Sequence, residues 1–339
     1  MVSDAKPKRV PRFGPELWER RAGQDWSLWD LWFCVIAVRD YDGNLDALGD
    51  KKILSRAREK VTGRVSLEYR ACTPAMIDTP RRFLQCRARY GNWTAFPSDP
   101  ARFFERFRAT VDRKNFVSGG KTFSIVPRLE KRLADLDGPR RNLPDRLALH
   151  RAFHSAGLEL ADAADDSYGN IGQTRNEAWH TYLAIDWRTT GMDPATCWQD
   201  LCELRIWQPY GLDHKERRAW FRSARKGDLD IVESILLALE VEHRAAVLDY
   251  PADDALEALA DLYIATRARD RYVMAARRIG SRAWRPIEAM AESQLSANDA
   301  AGAVAVCKAA DQPCHQQACL SKKCLALTGV DLTADKTRG

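Results

Sequence analysis

The sequence lacks any apolar run long enough to cross a bilayer as a helix. Its longest strongly apolar run is Leu31–Val38, whereas a membrane-spanning helix needs about 20 residues. The opening segment MVSDAKPKRVPRFGPE is basic and rich in proline, and no apolar core follows it at once, so we expect no secretory signal. These absences exclude membrane-embedded classes and predict a protein with no membrane partner.

Cysteine is also sparse, with nine residues in 339. This number is too small for a disulfide scaffold, and an odd count leaves at least one thiol unpaired. Cys314, Cys319 and Cys324 recur at five-residue steps, which rotate side chains by about 140° around a helix. We therefore expect buried structural cysteines in a reduced, cytoplasmic protein rather than a zinc site.

The signatures of nucleophilic and cofactor-dependent enzymes are missing. There is no Gly-x-Ser-x-Gly motif, no set of protein-kinase motifs and no glycine-rich dinucleotide-binding motif. Gly119–Thr122 matches part of a phosphate-binding loop, but Asn115 stands where the full motif needs glycine. We interpret Phe116–Val126 instead as a hairpin that turns at Gly119-Gly120. The sequence thus indicates a non-enzymatic protein without a cofactor.

Charge is present in ordinary amount but is unevenly placed. The net charge is +6, yet residues 51–145 alone carry +12, and residues 146–250 carry −5. Because such an excess attracts polyanions, this basic block is the main indication of a binding partner.

The organisation of the chain follows from its turn and charge signals. Residues 1–15 predict a flexible basic arm, 16–142 an α+β basic domain, 143–330 a helical, partly repeat-like domain, and 331–339 a tail. Gly138–Pro144 combines turn residues with charge and few apolar groups, so we expect a linker there.

Mixed structure is predicted before this linker. Residues 63–71 alternate between apolar and polar and predict a strand, Phe83–Arg89 predicts a second strand, and Pro100–Val111 predicts a helix. Leu31–Val38 fits either a helix capped by Asp25 or a buried strand.

After the linker, strand signals almost vanish. The predicted fold is therefore an α+β N-terminal domain followed by an all-α, solenoid-like domain of helical hairpins, predominantly α overall. The predicted helices, with Asp145 and Asp193 as caps of the first and third, are 145–164, 174–188, 194–207, 228–247, 252–267, 269–279, 284–296, 299–310 and 314–327.

One segment of this helical region resembles a known repeat. Its first helix begins at Trp284, and its second carries Ala303, Cys307 and Ala310 before Pro313. This spacing of small residues resembles the tetratricopeptide-type repeat over 284–313. The resemblance implies paired helices that bind a protein or peptide partner.

The basic block supplies the candidate nucleic-acid contacts, because cations neutralise phosphates and aromatic rings stack on unpaired bases. Tyr90 and Trp93 are the candidate stacking groups. The alternative is that these aromatics are buried and the arginines are solvated or dock on the acidic helical half. The candidate cations are Arg81, Arg82, Arg87, Arg89, Arg106, Lys114 and Lys121.

A second candidate site is a divalent-metal site. His150 and His154 lie four residues apart on one predicted helix, and Glu177 and His180 lie three apart on the next. Such pairs project two ligands from one helix face.

Together these patterns predict a non-enzymatic adaptor. Its helical domain would bind a protein or peptide, and its basic domain would contact nucleic acid or an acidic partner. The alternatives are a metal-binding protein or metalloenzyme that uses the His/Glu set, and a purely structural protein whose two domains dock through opposite charge.

Overall fold

A computed structural model of the chain describes residues 80–91, 93–110, 117–207, 214–225, 227–246, 248–280, 283–310 and 326–329. Most of these residues are helical, and none lies in a strand, although Val117 and Ala164 form a β-bridge. The prediction of a predominantly helical protein is confirmed. The expected strand 63–71, Leu31–Val38, the arm 1–15 and the tail 331–339 lie outside the described residues, so the α+β N-terminal domain stays a prediction.

The chain divides into two compact units, Met1–Leu204 (unit 1) and Arg205–Gly339 (unit 2). The predicted linker Gly138–Pro144 joins two helices within unit 1, and the predicted domain boundary at 142/143 falls there as well.

Unit 1 holds six helices among its described residues, and the last of them ends two residues into unit 2. Short 3-10 turns lie at Trp93–Ala95 and Trp187–Thr189. The helices are α1 Pro80–Tyr90, α2 Ala101–Arg108, α3 Gly119–Leu136, α4 Leu143–Ala163, α5 Asn170–Ala184 and α6 Pro194–Ile206.

Side-chain caps set the start of two of these helices. Asp193 caps α6 as predicted, because its carboxylate accepts the Thr196 N–H at 2.9 Å. The cap of α4 was predicted wrongly: Asn142, not Asp145, is the N-cap, and its side chain accepts the Asp145 N–H at 2.8 Å.

The centre of unit 1 is α4, which packs against α1, α2, α3 and α5. Every residue from Leu147 to Leu160 is buried, as expected for a helix surrounded on all sides. The polar residues in this stretch must therefore find partners inside the protein.

Two predicted strand segments are helical instead. Phe83–Arg89 lies within α1, where Leu84, Cys86, Ala88 and Tyr90 are all buried. Burial of every second residue resembles a strand pattern, but here it results from a helix that is buried on two opposite faces.

The predicted hairpin at Gly119-Gly120 is also wrong, because α3 begins at Gly119. Thr122, Ile125, Val126 and Leu129 are buried at helical spacing and hold this helix on the core. Its Gly-Gly start and the internal Pro127 conceal the helix in the sequence, since both residue types are typical of turns.

The described helices of unit 2 pack around Asp249–Thr266, which contacts His214–Phe221, Asp228–Ala245, Tyr272–Ile279 and Trp284–Leu295. The helices predicted over 228–247, 252–267, 269–279, 284–296 and 299–310 are confirmed. The predicted helix 314–327 lies almost entirely outside the described residues. The observed bounds are α7 His214–Phe221, α8 Asp228–Ala245, α9 Asp249–Thr266, α10 Tyr272–Ile279, α11 Trp284–Leu295 and α12 Ala300–Ala310.

The last described pair, α11 and α12, forms a helical hairpin. Ala303, Cys307 and Ala310 are fully buried, and Asp299 caps α12 by accepting the Gly302 N–H at 2.8 Å. The hairpin has the geometry expected from the spacing of small residues, while membership of the repeat family stays a prediction.

The described cysteines differ in state. Cys197, Cys202 and Cys307 are buried, as predicted, and form no disulfide. Cys86 differs from that expectation, because it forms a disulfide whose partner lies outside the described residues.

Candidate functional site

Two of the predicted nucleic-acid contacts are held in ion pairs inside unit 1. Arg87 Nε lies 2.9 Å from a carboxylate oxygen of Glu203, and Arg89 Nη2 lies 2.5 Å from Asp162. These acidic residues belong to the acidic stretch of the sequence, so part of the basic excess is neutralised within unit 1.

The two predicted stacking residues are buried. Tyr90 is 0% exposed and Trp93 4% exposed, and both rings make edge contacts with Phe104 at 5.4 Å between centroids. The Tyr90 hydroxyl donates to Glu159. Neither ring presents a face to solvent, so both serve the core in this structure.

The remaining predicted cations lie on the surface or outside the described residues. Arg81, Arg82, Arg106 and Lys121 are exposed. Lys114 lies outside the described residues.

A row of exposed cations follows the outer side of α3. Its members Lys121, Arg128, Lys131 and Arg132 are all exposed, and the other three lie seven, three and four residues from Arg128. None of them forms an ion pair with a described residue. Asp135 lies at the C-terminal end of the same stripe and is also exposed. We call these four cations the α3 basic row.

The loop 164–169 holds the N-terminal ends of two helices. Asp165 accepts hydrogen bonds from the Ser167 hydroxyl and, at 3.0 Å, from the Ser167 N–H, which lower the pKa of its carboxyl. Its side chain also lies beside Gly119 at the start of α3. Asp166 accepts the N–H groups of Ile171 and Gly172, both at 2.9 Å, at the start of α5. Adjacent carboxylates thus neutralise the positive ends of two helices.

The position of Asp165 also determines whether the partial phosphate-loop motif can bind an anion. Gly119–Thr122 does open a helix, contrary to the sequence interpretation, but the Asp165 carboxylate already lies at that N-terminus. An anion there would face a fixed negative charge, so the motif provides no phosphate site.

An aromatic pair is exposed where the loop meets α3. The rings of Phe123 and Tyr168 lie 5.1 Å apart between centroids with planes tilted by 49°. Phe123 is 52% exposed and Tyr168 69% exposed. Sequence analysis missed both, since Phe123 was placed in a hairpin and Tyr168 carried no signal beyond its turn composition.

The four predicted metal ligands do not converge. His150 Nε2 lies 3.0 Å from Asp137 Oδ2, and the buried His154 ring packs on Trp179 with centroids 5.1 Å apart. Glu177 and His180 are exposed on α5. Within the described ranges, no group of three or more His, Cys, Asp or Glu side chains is placed to hold a metal.

The two histidines instead belong to a buried polar core. Burial, together with the nearby guanidinium groups of Arg175 and Arg151, holds the pKa of His154 well below its ordinary value. Burial also lowers the pKa of His150, against the opposing effect of Asp137. Both side chains therefore favour the neutral form, which is the form a packed interior tolerates.

Several cations in unit 2 are neutralised, unlike the α3 basic row. Arg217 Nε lies 2.7 Å from Asp261 Oδ2 on α9, and Arg218 Nε lies 2.8 Å from Asp261 Oδ1. Arg205 lies 3.0 Å from Asp254 of the same helix. These acidic side chains bind the arginines that pack against α9.

Comparison of the chain with protein-family models, with curated proteins and with solved structures finds no match in any of the three. None of the helices in the described ranges is both long and apolar enough to span a membrane.

Proposed function

We propose that this chain is a non-catalytic binding protein whose unit 1 contacts nucleic acid through the α3 basic row. The observation that supports this most is the exposure of Lys121, Arg128, Lys131 and Arg132 without ion pairs to described residues. Like charges three or four residues apart destabilise a helix by about 0.2–0.5 kcal/mol per pair. A polyanion would relieve that repulsion.

The linear arrangement favours a phosphate backbone over a compact acidic patch. From Lys121 to Arg132 the helix rises about 16 Å at 1.5 Å per residue. Cations spaced along this length can neutralise successive phosphates of one strand and release their counterions. An acidic protein surface is the competing ligand, and the test below includes it.

The test is binding of a labelled oligonucleotide, followed by fluorescence anisotropy. The α3 variant carries Lys121→Gln, Arg128→Gln, Lys131→Gln and Arg132→Gln. The control variant removes the same charge from exposed arginines elsewhere, by glutamine substitution at Arg140, Arg222, Arg269 and Arg285.

We expect at least a tenfold loss of affinity in the α3 variant, and no comparable loss in the control. Poly-glutamate should compete poorly with the oligonucleotide. Equal loss in both variants, or poly-glutamate competing as well as nucleic acid, would refute the proposal.

The ion pairs Arg87–Glu203 and Arg89–Asp162 favour a structural role for these two arginines of the basic block. These contacts fit the alternative in which opposite charges join the basic and acidic stretches of the sequence. Binding of a protein or peptide by unit 2, and metal binding by the His/Glu set, stay predictions.

A further inference from the structure

Two of the most exposed large apolar side chains in the described residues contact each other. Phe123 and Tyr168 are 52% and 69% exposed, and their rings meet at 5.1 Å between centroids. Exposed aromatic pairs beside cations are typical of surfaces that bind unpaired bases, because every base has a face that can stack.

Hydrogen bonds join the two backbone segments that carry the pair. The Asp165 N–H donates to the Val117 carbonyl oxygen at 2.8 Å, and the Val117 N–H donates to the Ala163 carbonyl oxygen at 2.9 Å. The Asp165 side chain also lies beside Gly119, the first residue of α3. These contacts join the loop that carries Tyr168 to the start of the helix that carries Phe123. Little ordering entropy would then be lost on binding.

We infer that the ligand of the α3 basic row is a single-stranded nucleic acid whose unpaired bases stack on Phe123 and Tyr168; this inference rests on the proposed function. The tilt of 49° between the rings suits two bases that are splayed apart. A duplex keeps its bases parallel and paired inside the helix, so it offers them to neither ring.

The aromatic pair is connected to one cation of the α3 basic row, Lys131, along the surface of α3. Phe123, Pro127 and Lys131 are all exposed and lie four residues apart, which makes them one row on the helix. A strand that stacks on Phe123 can therefore follow this row to Lys131, one of the four members of the α3 basic row. Phosphates would meet the basic residues while bases meet the rings.

The test compares three probes of about 15 units: an oligo-dT strand, an abasic strand with the same phosphates, and a mixed-sequence duplex. The first variant is Phe123→Ala with Tyr168→Ala. The second, Phe123→Tyr with Tyr168→Phe, keeps both rings. Tyr250→Ala is the control, because Tyr250 is an exposed aromatic of unit 2 (81% exposed), and circular dichroism checks that each variant is folded.

The wild-type chain should bind oligo-dT at least about fivefold more tightly than the abasic strand, because only the oligo-dT strand has bases that can stack on the rings. The alanine pair should lose this preference and bind the abasic strand as the wild type does. The ring-preserving pair and the Tyr250 variant should retain the preference. Equal wild-type affinity for oligo-dT and the abasic strand, or equal losses on both in the alanine pair, would overturn the inference.

The two proposals fail in different ways. If the α3 glutamine variant binds the abasic strand as tightly as the wild type, the proposed function is wrong. If that variant loses binding while base content has no effect, only the stacking inference is wrong. A wild-type preference for the duplex over oligo-dT also overturns the stacking inference alone.

Discussion

Arg151 and Asp200 form a two-point ion pair inside unit 1: Nε lies 2.7 Å from Oδ2, and Nη2 lies 2.9 Å from Oδ1. Arg151 is 0% exposed and Asp200 2% exposed. Nη2 also donates to the Ala88 carbonyl oxygen at 2.7 Å, and the Tyr182 hydroxyl donates to Asp200 at 2.9 Å. The pair therefore joins α1, α4, α5 and α6.

Substitution of Asp200 by alanine should strongly destabilise unit 1. The change leaves a buried guanidinium without its carboxylate, which typically costs about 3–5 kcal/mol. Urea unfolding measures the loss. Glu105→Gln is the control, because the ion pair of Glu105 with Arg108 is exposed and 3.6 Å long. Its loss should lower the free energy of unfolding by less than about 1 kcal/mol. Similar effects of the two changes would contradict a stabilising role for the buried pair.

Gly157→Ala should destabilise the protein although alanine favours helices. A Cβ at residue 157 of α4 would lie 3.2 Å from Arg175 Cγ and 3.3 Å from Arg175 Cβ on α5, so the fully buried Arg175 side chain would have to shift by a few tenths of an ångström. Overpacking of this kind costs about 1–3 kcal/mol. Gly120→Ala is the matched control, since no atom lies within 4 Å of its added Cβ. Thermal unfolding should show a lower midpoint for residue 157 only.

Stability should fall as the pH drops below about 6.5, the ordinary pKa of histidine. Burial, and then the charges of Arg175, Arg151 and Arg89, hold the pKa of His154 well below that value. The unfolded chain therefore binds a proton that the folded chain does not bind. The free energy of unfolding should fall by up to about 1.4 kcal/mol for each pH unit below that value. Urea unfolding near pH 7.5 and near pH 5.5 measures how the free energy of unfolding changes with pH.

Substitution of His154 tests whether this residue causes the pH dependence of the free energy of unfolding. His154→Gln should make stability less dependent on pH in this window, whatever its effect at neutral pH. His180→Gln, at an exposed position of α5, should leave the slope as it is. An unchanged slope in the His154 variant would show that other groups control the acid response.

Asp135→Asn should strengthen nucleic-acid binding. Asp135 is exposed beside Lys131 and Arg132, where its charge repels phosphates. Its removal should raise affinity about twofold at low salt, and the gain should shrink as salt screens the interaction. Asp270→Asn, an exposed change in unit 2, is the control; equal gains in both would mean that only net charge matters.

Helices with clear end signals could be predicted from the sequence. The Asp193-Pro194 start of α6 and the apolar stripe of α8 identified both elements. By contrast, α1 and α3 were predicted as strands, because α1 is buried on two faces and α3 contains Gly-Gly and Pro127. Local pattern does not reveal which neighbours cover a segment.

The candidate site was located only in part. Charge counting found the basic block, but which cations are neutralised depends on Glu203 and Asp162, which are distant in the sequence from Arg87 and Arg89. The Phe123–Tyr168 pair escaped prediction for the same reason, since its members meet only after α3 and the loop 164–169 have come together.

The most direct test of the central claim is the salt dependence of oligonucleotide binding by the wild-type chain, the α3 glutamine variant and the matched control variant. Each phosphate contact on a single strand adds about 0.7 to the slope of log affinity against log salt concentration. Four cations therefore predict a wild-type slope steeper than that of the α3 variant by about 2.8, with the control variant close to the wild type. Equal slopes for the wild type and the α3 variant would contradict nucleic-acid binding by the α3 basic row.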